Sequence, residues 1–208
     1  MRELEKAPKG WPAALLLFHL GMWRERFRDA LAAVSQGTPF EHPSEAVDEL
    51  NDAELPQGIG TPLTDAAARA DLLLGEIIDL YGKVGDRPIK WYAAADTSEA
   101  VLRNSYTHPR LHLAGYWQEN GSLDRAAAVW EPAATELEAT GSTPRFVALA
   151  HYNLACVRAR QDKRDEALDL LAKALPVSEV LRGNAPKDPD LETLRDDPRF
   201  QDLVKAAT

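Results

Sequence analysis

The sequence predicts an all-α protein, and three observations carry that expectation. Alanine and leucine dominate while β-branched residues are sparse. Apolar residues recur at three- and four-residue steps over long windows. Proline and glycine fall mostly between those windows, where they punctuate rather than interrupt. At 208 residues the chain is long enough for one large domain or two small ones.

The first long helix is expected to open near Trp11–Pro12, where a proline loses no hydrogen bond. Leu16, His19, Leu20, Trp23, Phe27, Ala30, Leu31 and Val34 form one stripe, and Gly37 and Pro39 end it. A long connection over 37–63 follows, rich in proline and glycine, with one short helical candidate at Ser44–Leu50. Thr64 or Asp65 is expected to cap a second long helix, with Ala68, Leu72, Leu74, Ile77, Ile78 and Tyr81 on its buried face. Gly82, Gly85 and Pro88 end it. After "IKWYAAAD", Thr97 or Ser98 is expected to cap a third helix carrying Val101, Leu102, Tyr106, Leu113, Tyr116 and Trp117.

Pro109 lies inside that third pattern. It removes a hydrogen bond and crowds the carbonyl of Ser105, so a kink or a restart is expected. His108, just before it, is biased away from the α region. A kink keeps His108 and His112 on one face; a restart makes His108 a cap residue.

The second half repeats. "LAGYWQENGSLDRAAAVWEPA" aligns without a gap on "LACVRARQDKRDEALDLLAKA", at an offset of 41 residues. Leu113 meets Leu154, Ala126 meets Ala167, and Ala133 meets Ala174. The pattern resembles the tetratricopeptide repeat (TPR), a helical hairpin with small residues between its helices, usually about 34 residues long. The segment 139–145 accounts for the extra length. The tail "KDPDLETLRDDPRFQDLVKA" resembles a terminal capping segment, with Leu191, Leu194, Phe200 and Leu203 facing inward.

Charge and composition exclude several functions. A net charge of −9 and a pI near 5.1 argue against a nucleic-acid partner, and basic runs such as "RERFRD" alternate with acids. The apolar run at 11–23 contains His19, is followed directly by charge, and is too short to cross a bilayer. Cys156 is the one cysteine and reads as a small buried hydrophobe, which suits a soluble, cytoplasmic protein. No phosphate-binding glycine loop, Ser-His-Asp order or paired-cysteine motif appears.

Five histidines remain: His19, His42, His108, His112 and His151. An i,i+4 pair sends two imidazoles from one helix face, a two-ligand start for zinc or nickel. His19, on a buried stripe, needs a partner of its own. His151 reads as structural, and His42 as exposed in the long connection.

"LLFHLGMWRERF" followed by "NSYTHPRLHLAGYWQENG" resembles the DinB-like family of helical bundles over residues of about 10–120. The resemblance implies an incomplete four-helix bundle at 1–107, its last helix running on to about 120, and the separate resemblance to the tetratricopeptide repeat implies two helical hairpins and a capping helix at 108–208. It also implies a divalent metal, zinc or nickel, held by His19, His108 and His112. Trp23, Tyr106, Tyr116 and Trp117 would line the pocket. Members of that family include thiol-dependent transferases and isomerases and self-protection proteins, so a metal-dependent thiol transferase or hydrolase is one expected activity. Two departures stand out. Only "MRELEKAPKG" precedes the histidine helix where the family has another helix, and Pro109 lies within the His108–His112 pair. The alternative is a non-enzymatic TPR-type adaptor with a degenerate metal site, which binds a peptide or protein partner. A homodimer is expected either way, because a bundle short of one helix exposes apolar surface.

Overall fold

The structure is a computed structural model, and it describes residues 10–40 and 46–205. His42 and Ser44, singled out in the long connection, lie outside the described residues. The chain is mostly helical and divides into two compact units, 1–112 and 113–208. No described helix is long and apolar enough to cross a membrane.

In the first unit, α1 (Ala13–Gln36) and α3 (Leu63–Val84) pack along each other. Helix α1 begins after Pro12 and ends at Gly37, whose φ of 67° lets its N–H reach back to the Val34 carbonyl. Its stripe packs as its spacing predicts from Leu16 to Leu31: Leu16, His19, Leu20, Trp23, Phe27, Ala30 and Leu31 are buried, and Val34 at its end is partly buried. The short α2 (Val47–Glu54) is tied to α1 by the Arg26–Glu54 ion pair and by Trp23 Nε1, which donates to Asn51 Oδ1 at 3.0 Å.

Helix α3 corrects two expectations. It begins at Leu63 after Pro62, so Thr64 and Asp65 lie in its first turn rather than at its cap. Its buried face is Leu63, Ala66, Ala70, Leu73 and Ile77, which places Ala68, Leu72 and Ile78 on the outer side. Leu72 and Ile78 remain 64% and 58% exposed. Leu74 and Tyr81 are partly buried at the edges of the inner face.

The segment after α3, expected only to break the helix, forms a β-hairpin. Strands β1 (Pro88–Trp91) and β2 (Ala94–Asp96) pair antiparallel, with Pro88 opposite Asp96 and Trp91 opposite Ala94. Tyr92 turns the hairpin at a φ of 46°, an unfavourable backbone for a residue with a side chain. Packing compensates: its ring meets Trp23 at 5.8 Å and Trp91 at 5.4 Å. The cap of α4 (Thr97–Val101) is Asp96, one residue earlier than expected, and it accepts from the Glu99 N–H at 2.9 Å. Glu99 in turn accepts from the Ala95 N–H at 2.8 Å. The Thr97 hydroxyl is used elsewhere, donating to the Gly85 carbonyl at 2.6 Å.

Between α4 and α5 (His108–Glu119) the chain stays helical, but over Leu102–Thr107 it takes the wider π register. The His108 N–H reaches the Arg103 carbonyl, five residues back. That register lets the chain carry Pro109 without a break, since one residue per turn is already extra. His108 therefore sits in the α region, at φ −60° and ψ −48°, against the bias expected of a residue before proline.

In the second unit, α6 (Leu123–Trp130) and α7 (Ala133–Ala139) precede α8 (Pro144–Arg160) and α9 (Arg164–Ala174). The turns before α6 and before α9 share one geometry at the offset of the repeat. Gly121 (φ 72°) corresponds to Asp162 (φ 61°). Ser122 N–H bonds the Trp117 carbonyl at 2.8 Å, as Lys163 N–H bonds Arg158 at 2.9 Å. Pro132 separates α6 from α7, whereas α9 runs unbroken. The core is built from Ala148, Tyr152, Ala155, Ala167, Leu168 and Leu171, closed by Leu191, Leu194 and Phe200 of the tail, with Leu203 packed against it. Short helices at Glu179–Asn184 (α10) and Pro198–Val204 (α11) complete it.

Candidate metal centre

Helix α1 delivers His19 from its buried stripe, and α5 delivers His108 and His112 from adjacent turns of one face. Their three Nε2 atoms converge. His19 Nε2 lies 3.2 Å from His108 Nε2, and His112 Nε2 lies 3.0 Å from it. A tetrahedral ion with nitrogen bonds near 2.0–2.1 Å separates its ligands by about 3.3 Å, close to both distances.

Hydrogen bonding alone serves this arrangement poorly. In a neutral imidazole each ring nitrogen carries either a proton or a lone pair, so His108 Nε2 can only be shared between its two neighbours. A cation at the centre takes all three lone pairs at once. The protonation states agree with that use. Burial, followed by the charge of His112, lowers the His19 pKa to about 3. Burial, then His112, His19, Arg103 and Arg24, lowers His108 to about 3 as well, and burial lowers His112. Neutral imidazoles are the form that ligates a metal. His19 Nδ1 is buried with no hydrogen-bond partner, so no second group among the described residues fixes the tautomer of that ring. The triad is a group that could hold a metal ion.

Aromatic rings flank two of the three histidines, His19 and His112. Trp11 stacks on His112 at 5.9 Å with 15° between the planes, and meets His19 edge-on at 5.1 Å. Trp23, expected to line the pocket, lies 6.3 Å from His19. Trp11 was not foreseen as a site residue. It precedes the first turn of α1, outside the helical periodicity, so spacing gave no signal for it. Tyr106 is half-buried beneath the Arg110 guanidinium at 3.6 Å. Tyr116 and Trp117 belong to the second unit, where their rings pair at 5.3 Å.

A second group, Cys156, Asp188 and Asp190, also brings three ligand atoms together. Its acceptors serve the fold. Asp188 accepts from the Tyr152 hydroxyl at 2.8 Å and from the Asp190 N–H at 3.0 Å, and Asp190 meets Arg160 at 3.4 Å. Burial and then the two aspartates push the Cys156 thiol well above its usual pKa, as suits a buried, inert side chain. His151 is half-buried on α8. Comparison with protein-family models, with curated proteins and with solved structures finds no match for the chain.

Proposed function

We propose that the first unit binds one divalent transition-metal ion, zinc or nickel, through His19, His108 and His112, and that it is a DinB-like metal-dependent thiol transferase or hydrolase. The observation that carries this reading is the convergence of three neutral imidazole nitrogens at 3.0 and 3.2 Å. Three protein ligands leave a position open, and a bound ion there lowers the pKa of a coordinated water or thiol. The chain's own part is to hold the imidazoles neutral by burial, to orient His108 and His112 from one helix, and to cover the rings with Trp11 and Trp23. Elemental analysis of untagged protein tests this. About one equivalent of zinc or nickel is expected in the wild type, lost in both His19→Ala and His112→Ala. A metal-free wild type, after incubation with either ion, would sink the reading.

The second unit supports an accompanying role. The shared turn geometry at Gly121 and Asp162 favours a TPR-like region that binds a peptide or protein partner. Exposed Leu72 and Ile78 on α3 favour a homodimer through that face. A clean monomer in a light-scattering measurement would remove the dimer.

A further inference from the structure

Among the described residues, six polar or charged side chains are buried: His19, Arg24, Thr97, Glu99, Asn104 and Thr107. His19 belongs to the triad, and Thr97 and Glu99 serve the hairpin and the α4 cap. Arg24 Nη1 donates to the Ala70 carbonyl of α3 at 2.7 Å, and the Thr107 hydroxyl to the Arg103 carbonyl of its own stretch at 3.2 Å. Asn104 is different. Its Nδ2 reaches out of the π stretch and donates to the main-chain carbonyl of Trp23 on α1, at 3.0 Å. Its Oδ1 accepts from the Ser105 hydroxyl at 3.2 Å, so both ends of the amide are held.

That bond does more than fill space. The Trp23 carbonyl lies inside α1, where the intrahelical hydrogen bond already satisfies it, so α1 has no need of Asn104. A leucine of similar size would occupy the same place without burying an amide. A directional bond does what apolar contact cannot: it fixes one register between two helical segments, as a single buried asparagine does in coiled coils at a cost in stability. The position matches that use. Trp23 lies four residues after His19, and Asn104 four residues before His108. The Asn104–Trp23 bond and the His19–His108 contact are therefore neighbouring rungs, about one helical turn apart on two segments that run antiparallel. The π register is rare, and Asn104 sits within it.

We propose that Asn104 is a positioning residue for the histidine triad. Its amide pins the π stretch to α1, and so sets the distance at which His108 and His112 meet His19. It acts through the two segments it joins, not by ligation. The inference rests on the metal reading for its main readout and stands on the helix register without it.

Cobalt, whose absorption reports the geometry of its ligands, is the probe, used on the full chain. Wild type is compared with Asn104→Leu and with Thr107→Val, which removes a buried hydrogen bond of the same stretch that does not reach α1. Wild type and Thr107→Val are expected to bind cobalt alike, with the same bands. Asn104→Leu is expected to bind it about tenfold more weakly, with weaker and shifted bands. Should Asn104→Leu fail to fold, Asn104→Ala carries the comparison. Wild-type affinity and bands in Asn104→Leu overturn the proposal. An equal loss in Thr107→Val overturns it too, since that marks general loosening of the stretch. A wild type that takes up no cobalt defeats the metal reading alone. Asn104 is then judged on the metal-free protein, by the NMR cross-peak between the ring protons of His19 and His108. That cross-peak is expected to weaken in Asn104→Leu and to hold in Thr107→Val; if it is unchanged in Asn104→Leu, the inference fails.

Discussion

The two units bury different chemistry. Every buried polar or charged side chain among the described residues belongs to the first unit, while the main core of the second is alanine, leucine and a few aromatics. Burying polar groups costs stability unless each is partnered, and His19 Nδ1 and Arg24 Nε are not. A region that carries such costs is being held for something other than stability. The second unit carries two such atoms as well, Asn120 Oδ1 and Arg195 Nε, but on side chains that are only partly buried, and its one thiol is tucked beside a capping aspartate. Function is thus expected in the first unit and packing in the second, and the following experiments probe that division.

The largest effect is expected where the apolar core is cut. Phe200→Ala in the second unit removes a fully buried ring and should cost about 3–5 kcal/mol in denaturant unfolding. Metal uptake should be unchanged; its loss would break the division between the units. His108→Leu should behave in the opposite way. It abolishes metal uptake, yet the metal-free variant should unfold within about 1.5 kcal/mol of the wild type, because a desolvated imidazole is replaced by an apolar group of similar volume. A severe destabilisation would show that the triad is structural.

Acid should separate the units next. His19 and His108 have folded pKa values of about 3, below the ordinary 6.5. Protons therefore favour the unfolded chain, and the stability of the metal-free first unit is full above pH 6.5 and falls as pH drops toward 3. Each imidazole contributes a slope of up to about 1.4 kcal/mol per pH unit in that window. His19→Leu should flatten the profile, and an unchanged slope would mean the imidazoles are not desolvated. The smallest effect tests the repeat in the second unit. Gly121→Ala should cost about 1 kcal/mol and Asp162→Gly should stabilise by a few tenths, because both positions hold positive φ. Effects of the same sign would undo their equivalence.

The parts of this arrangement that were legible in the sequence are those set by periodicity. The α1 stripe, the His108–His112 spacing and the inward Leu191, Leu194 and Phe200 all follow from helical phase. The outer face of α3 was misread because Leu72 and Ile78 are apolar yet lie one step off the phase of Leu73 and Ile77. The hairpin at 88–96 was missed because its turn places Tyr92 where glycine is usual, at a cost only tertiary packing repays. Arg24 looked like one charge in a solvated run, since nothing local marks a buried arginine. His19 stood out as the best third ligand from its place on the buried α1 stripe, and the resemblance joined it to the α5 pair.

The π stretch at Leu102–Thr107 works as a phase adjuster. An α-helix turns about 100° per residue, so one residue more or fewer before His108 swings everything after it by that angle. Both α5 imidazoles ride on that single setting. Removing one residue from the stretch would not loosen one ligand and spare the other. It would rotate His108 and His112 away from α1 together, leaving His19 facing a bare helix flank.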